Sequence, residues 1–357
     1  MRKTLLIATA LTGFAFAAQA AEVTVLGWGG AYTKSQSEAY HKPFSAATGI
    51  TVNSEDADNP ATPIKAQVEA GNVTIDVASV EFADGIRLCD EGLLEEIDHS
   101  ILPAAPDGTP ATEDFLPGSL TECIIGTDVY ATVFAYNKDK FDSDVPTSIA
   151  DFFDKEKFPG KRGMRKTAKA NLEMALMADG VPAAEVYDLL ETDAGVDRAF
   201  AKLDQIKDDI VWWEAGAQPP QLLADGEVDM STAYNGRIFN AVIGENQPFE
   251  IIWDGQVYEF EGYVIPKGAP NMEEAKKFVA FAAGTEALAK AAEWISYGPP
   301  RKSSGPLVGM YFDGKTEMAP HLPTTAANLT NALASSNDFW ADKDTELNER
   351  FNAWLAN

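Results

Sequence analysis

A two-lobed α/β fold is what this sequence predicts, on two observations. Short apolar strands alternate with amphipathic helical stretches, the order that builds βαβ units and a largely parallel sheet covered by helices. Two long extended runs, Val129 to Tyr136 and Tyr258 to Pro266, lie far apart in the chain, so it can cross from one lobe to the other and return. With 357 residues there is enough chain for two lobes, each with its own core.

The elements follow in order. Met1-Arg2-Lys3, an apolar run from Leu5 to Ala18 and the small residues Ala18-Gln19-Ala20 read as a secretory signal peptide cleaved near Ala20 or Ala21. That apolar run is shorter than the ~20 residues a bilayer requires. Strand Val23 to Leu26 leads to a helix from about Ser35 to Ala47, which Pro43 should kink or split. Strand Ile50 to Asn53, a helix from Pro63 to Ala70 and strand Ile75 to Ala78 come next. Beyond the first crossing, Asn137-Lys138-Asp139 reads as a turn, and Ser148 or Asp151 can cap a helix over Ile149 to Phe153. Phe158-Pro159-Gly160-Lys161 forms a loop, followed by helices Ala170 to Ala178, Ala183 to Leu190 and Asp197 to Ile206. Strands return at Ile210 to Trp213, Met230 to Tyr234 and Glu250 to Trp253, and a helix from Met272 to Ala283 follows the return crossing at Tyr258 to Glu261. The expected division is residues 1–20 as signal peptide, 21–135 with 260–305 as the first lobe, and 136–259 with 306–357 as the second.

Composition narrows the function. Hydrophobic residues make up 45% and aromatics 10%, which excludes a disordered chain. Loss of Arg2 and Lys3 on cleavage takes the formal charge from −27 to −29, a surface that repels nucleic acid and anionic membranes and attracts cations. Cys89 and Cys123 are an even pair in an exported chain and are expected to form a structural disulfide. His41, His99 and His321 are scattered without metal-ligand spacing and read as surface or capping residues. No GxSxG elbow or HExxH pair is present, and Glu259 with Glu261, two apart on one strand, is a poor source of glycosidase geometry. An exported hydrolase is thus a remote alternative, and a ferric-ion receptor ranks low because no Tyr-Tyr pair occurs.

Between two lobes, strand C-termini and helix N-termini converge on one cleft, the natural seat for a ligand. Several segments, in order, resemble one family: Leu26-Gly27-Trp28-Gly29-Gly30-Ala31-Tyr32, Asp76-Val77-Ala78-Ser79-Val80-Glu81, Gly92-Leu93-Leu94-Glu95-Glu96-Ile97-Asp98, Val133-Phe134-Ala135-Tyr136-Asn137, Asp225-Gly226-Glu227-Val228-Asp229-Met230, Tyr234-Asn235-Gly236, Glu261-Gly262-Tyr263-Val264-Ile265-Pro266-Lys267 and Tyr297-Gly298-Pro299-Pro300. The chain resembles the periplasmic solute-binding proteins of ABC importers, in their spermidine/putrescine-binding branch. That resemblance implies a type II periplasmic-binding-protein fold that closes over its solute by hinge motion and delivers it to an inner-membrane permease. It further implies a periplasmic, monomeric receptor with no catalytic activity, cofactor or metal.

The same resemblance nominates the ligand contacts. Trp28 and Tyr32 stand as aromatic walls after the first strand, Ser79 matches a hydroxyl contact, and Tyr234 and Tyr297 match further aromatic positions. Aromatic faces attract cations. Glu81 stands where relatives carry an aromatic residue, so it either supplies a carboxylate or faces solvent. Glu261 aligns with the family's amine-binding carboxylate, and Glu259, two residues earlier on an extended segment, shares its face. Trp212 and Trp213 point to opposite faces of their strand; Trp213 is carried as the candidate, although the sequence leaves open which one faces the cleft.

One stretch departs from the polyamine pattern. Arg165-Lys166-Thr167-Ala168-Lys169-Ala170 replaces the acidic residues that polyamine binders place before the corresponding helix. Arg165, Lys166 or Arg237 could instead hold a carboxylate, sulfonate or phosphonate. Two ligand classes follow: a linear polyamine such as putrescine or spermidine as the main reading, and a zwitterionic ω-amino acid or betaine-type onium compound as the alternative.

Overall fold

In the computed structural model, residues 21–356 are described; the expected signal peptide lies outside the described residues. Nine strands join one continuous sheet: β1 (Glu22–Gly27), β2 (Thr51–Asp56), β3 (Val77–Glu81), β4 (Ile125–Asn137), β5 (Arg162–Arg165), β6 (Ile210–Trp213), β7 (Met230–Tyr234), β8 (Phe249–Val264) and β9 (Leu333–Ala334). Their spatial order is β2-β1-β3-β8-β4-β7-β5-β6, with β9 alongside β8. Helices alternate with these strands, and the architecture is the two-lobed type II arrangement that the resemblance implies.

The two crossings are longer than their apolar patterns suggest. β4 and β8 pair antiparallel over most of their lengths, and together they form the middle of the sheet. The sheet is therefore mixed rather than largely parallel: βαβ units run parallel on each side, and the crossing strands oppose each other. β4 is buried along its whole length, which explains why Val129 to Tyr136 reads as a mostly apolar stretch instead of an alternating one. Separate apolar cores sit at the two ends of the sheet. One gathers Val23, Phe44, Val77 and Phe278, the other Phe134, Phe152, Met164 and Trp340.

Local chemistry accounts for several details. The helix expected to break at Pro43 is divided just before it. A π-helical turn, Ser37–His41, precedes it between helices Gly30–Gln36 and Lys42–Thr48, so Pro43 falls in the first turn of the latter, where its missing N–H is no loss. At Ile149–Phe153 the Asp151 carboxylate accepts from the Ser148 backbone N–H at 3.0 Å, so both expected caps act together. His41 is a correction: it is buried against Phe278, and burial lowers its pKa to about 4. The helix Asn337–Leu355 escapes a sequence reading because its exposed face is dense in charge. It is capped by Ser336, buries Phe339, Trp340, Leu347 and Phe351 in the second core, and holds Glu173 through the Trp340 indole N–H at 2.6 Å.

Cys89 and Cys123 form a disulfide across a sequence separation of 34 residues. A loop of that length should contribute about 4 kcal/mol through the entropy of the unfolded chain. The Cys89→Ala, Cys123→Ala double variant is expected to lose stability of that order in urea melts, with its native circular dichroism retained.

Candidate functional site

Three carboxylates lie in one cross-strand row at the centre of the sheet. Glu81 on β3 is in register with Glu261 on β8, and Glu261 is in register with Asp128 on β4. Residues directly opposite on antiparallel strands share a face, and like charges placed so repel. A bulge between Gly126 and Asp128 shifts the register of β4 and so sets Asp128 in this row. All three are buried.

Glu81 is neutralised. Arg165 Nη1 at the end of β5 lies 3.1 Å from Glu81 Oε1, and Lys169 Nζ lies 2.8 Å from Glu81 Oε2. Lys169 also donates to Glu259. Burial alone would raise Glu81, but Lys169 and Arg165 outweigh it and hold the carboxyl at about 2. Burial would likewise discharge Lys169, yet Glu259 and Glu81 keep its pKa well above the ordinary lysine value. Two acids and two bases thus balance within the interior.

Glu261 and Asp128 have no such balance. Glu261 accepts from Ser79 Oγ at 2.6 Å, and Ser79, its single proton so used, accepts from Tyr32 at 2.6 Å. Tyr32 Oη, its own proton given to Ser79, lies 3.4 Å from Asp128 Oδ2, and Asp128 Oδ2 accepts from Thr127 Oγ1 at 3.2 Å. Among the described residues neither carboxylate forms an ion pair, and Asp128 Oδ1 has no partner at all. Burial raises Asp128 to about 7, and burial followed by repulsion from Asp128 raises Glu261 well above the carboxylate range.

Aromatic rings wall the space above this row. Tyr130 packs edge-on to Tyr234 at 5.3 Å between centroids, Tyr234 meets Trp213 at 5.7 Å, and Tyr297 lies 5.8 Å from Tyr130 and 6.3 Å from Tyr32. Arg165 sits over Tyr234 at 5.7 Å. Trp28 is carried in by the turn Gly29-Gly30, whose φ values of 68° and 57° suit glycine, and a Cβ on Gly30 would come within 2.6 Å of Arg237. Arg237 donates to the carbonyls of Gly29 at 2.7 Å and Trp28 at 3.1 Å. Trp28 Nε1, Tyr234 Oη and Arg237 Nε are buried without a hydrogen-bond partner among the described residues.

A narrow cleft opens between these groups, with Trp28, Tyr32, Glu81, Arg165, Tyr234, Arg237, Glu261 and Tyr297 on its walls. Of the other residues nominated from sequence, Ser79 and Glu259 lie just behind, held to Glu261 and Lys169, and Trp213 backs Tyr234. Trp212 takes the opposite face and packs on Phe351 at 5.3 Å, which answers the question the sequence left open. Glu81 is buried rather than solvent-facing. Sequence reasoning missed Asp128, Lys169 and Tyr130, along with Asp58 and Glu214 at the exposed rim. The signal for Asp128 was an isolated acid inside an apolar run; Lys169 gave none, since it stands in a basic stretch that reads as solvent-facing.

Residues 39–324 match the family model for bacterial extracellular solute-binding proteins. A gamma-aminobutyric acid-binding protein of Pseudomonas aeruginosa is 45% identical over 350 residues, covering 97% of this chain and 95% of that protein. Among solved structures, the A. tumefaciens PBP MotA in complex with glucopine aligns with a TM-score of 0.85 at 29% identity, over 94% of this chain and 99% of that one. A GABA receptor of known structure aligns with a TM-score of 0.78 at 33% identity, over 94% and 97% of the two chains. With the family spanning most of the sequence and relatives aligned along nearly all of it, the chain belongs to the bacterial extracellular solute-binding proteins, receptors of ABC transporters.

Proposed function

We propose that this receptor captures a small zwitterionic amine, an ω-amino acid of the γ-aminobutyrate type, in the cleft between β3, β8, β4 and the Trp28 turn. One observation carries the reading: the cleft offers a carboxylate without a cation at Glu261, with the unpaired Asp128 behind it, and donors without an anion at Trp28, Tyr234 and Arg237. A buried unpaired carboxylate is costly and calls for a positive partner, which a primary ammonium supplies. The unused donors call for an anion, and Arg237 suits a carboxylate. Putrescine and spermidine satisfy the first demand and not the second, so the polyamine reading, first on sequence, yields to the amino-acid alternative. The names of the relatives favour the same choice. A betaine has no N–H to give Glu261.

In this reading Trp28, Tyr32, Ser79, Glu81, Arg165, Trp213, Tyr234, Arg237, Glu259, Glu261 and Tyr297 form or support the ligand site. The lobes, 21–135 with 260–305 and 136–259 with 306–357, close over the solute by bending at β4 and β8, because a ligand that touches both lobes stabilises the closed state by its differential affinity. The receptor works as a monomer in the periplasm after signal-peptide cleavage and delivers its cargo to an ABC permease.

Purified protein, stripped of ligand by unfolding and refolding, should be titrated calorimetrically with γ-aminobutyrate, putrescine, spermidine and glycine betaine. γ-Aminobutyrate is expected to bind at least a hundredfold more tightly than either polyamine. Tight binding confined to the polyamines would overturn the reading.

A further inference from the structure

Lys169 is the buried group that the ligand-binding scheme above does not use. Its ammonium is shared between Glu81, which lines the cleft, and Glu259 behind it. The fold places it there at a cost. Ala170, the next residue, adopts φ 66° and ψ −34°, in the left-handed region that disfavours a residue with a Cβ. The loop is pinned on both sides of Lys169: Asn348 Oδ1 accepts from Thr167 Oγ1 at 3.0 Å and from the Ala168 N–H at 2.9 Å. Asn171 Nδ2 donates to the carbonyls of Arg165 and Thr167, each at 2.7 Å. A strained residue inside a loop pinned at Thr167, Ala168 and Asn171 is a position that the surrounding structure determines.

We infer that Lys169 is a specificity-determining residue, a built-in alkylammonium that occupies the carboxylates a second ligand ammonium would need and so makes the receptor reject diamines. The chemistry is one of counting. A diamine brings two ammonium groups, and Glu261 with Asp128 can receive one. The remaining buried acids, Glu81 and Glu259, already share Lys169, with Arg165 on Glu81 as well. The second ammonium would arrive beside two fixed cations whose buried carboxylates are already taken, with Asp58 and Glu214 standing only at the exposed rim, and like-charge juxtaposition is an effective device against the wrong partner. An ω-amino acid brings a carboxylate in place of that second ammonium, for the open donors of Arg237, Trp28 and Tyr234, and the nearby charges of Arg165 and Lys169 favour it.

This inference rests on the ω-amino acid reading, and the test separates the two. The wild type, Lys169→Ala, Lys169→Met and Lys169→Arg are titrated with γ-aminobutyrate, putrescine and cadaverine, and folding is checked by circular dichroism. Lys169→Ala empties a channel the width of an alkylammonium beside Glu81 and Glu259, so putrescine or cadaverine affinity should rise at least tenfold and γ-aminobutyrate affinity should fall. Lys169→Arg should reject diamines as the wild type does. Should Lys169→Ala fail to fold, Lys169→Met, which keeps the chain and drops the charge, carries the same tenfold expectation. A folded neutral variant with less than a tenfold diamine gain overturns the role of Lys169, as does a diamine gain in Lys169→Arg. A wild type that binds no ω-amino acid sinks the ligand reading instead.

Discussion

Glu261→Gln is expected to weaken γ-aminobutyrate binding at least a hundredfold while leaving the empty protein as stable as before or more so. The two effects diverge because Glu261 is a liability until a cation arrives. In the empty cleft its carboxyl is buried, faces Asp128 across the strands and is held by the Ser79 hydroxyl without a cation among the described residues. An isosteric amide removes that repulsion and keeps an oxygen for Ser79 to bond. In the complex the amide leaves the ligand ammonium without its counter-charge, a loss of about 3–5 kcal/mol when one partner of a buried pair is removed, at 1.4 kcal/mol per factor of ten. Calorimetric titration together with thermal melts of the ligand-free proteins reads both. A parallel loss of stability and affinity would mean that Glu261 is a structural acid, with no part in holding a cation.

The second large effect is with pH. γ-Aminobutyrate affinity should weaken by up to tenfold per unit as pH falls below about 7, with close to one proton released on binding near pH 6.5. Burial holds Asp128 at about 7, and burial with Asp128's repulsion holds Glu261 well above its ordinary value, so the empty pair retains a proton that an incoming ammonium must displace. Among the neighbours, Lys169 and Glu81 are locked in their charged forms by each other and His41 is lowered to about 4, whereas burial raises Glu259 and lifts Glu173, beyond Lys169, to about 7, so Glu173→Gln serves as the background for the measurement. The same pair acts on stability in the opposite sense. In the unfolded chain these carboxyls titrate near 4, so between there and about 7 the folded empty protein binds more protons than the unfolded one. Its stability from this source is full below pH 4 and is lost as pH rises towards 7. Calorimetry in buffers of differing ionisation enthalpy measures the released proton, and a pH-independent affinity with no proton release would remove the shared-proton account.

Much of this was legible in residue order. Alternating strands and helices specified the fold class because each buries a different period of apolar residues, and the first crossing stood out as a long, mostly apolar stretch because β4 is buried on both faces. Glu259 and Glu261 were placed on one face by the strand period alone, and they occupy it together with Tyr263. What stayed hidden depends on pairing between distant segments. Asp128 enters the acidic row only through a bulge, and no local feature of Gly126-Thr127-Asp128 shows where the register of β4 slips against β8. Lys169 looks like a solvent residue at a helix start until β3 and β8 bring Glu81 and Glu259 to it from 88 and 90 residues away. The choice between Trp212 and Trp213 was settled by the C-terminal helix, whose Phe351 and Trp354 claim Trp212 for the second core.

Within the site, chemistry is divided by charge balance. One group of buried ions is closed on itself, Glu81 and Glu259 with Arg165 and Lys169. The other is left open, Glu261 and Asp128 without a base, opposite donors without an acid. The closed group makes the cleft rigid and selective, and the open group holds the demand that a solute fulfils. A structure of the receptor with γ-aminobutyrate bound tests this most directly. The account predicts the amine nitrogen about 3 Å from Glu261 and the ligand carboxylate against Arg237, Trp28 and Tyr234. An amine turned away from Glu261, with that carboxyl still unpaired, would contradict it.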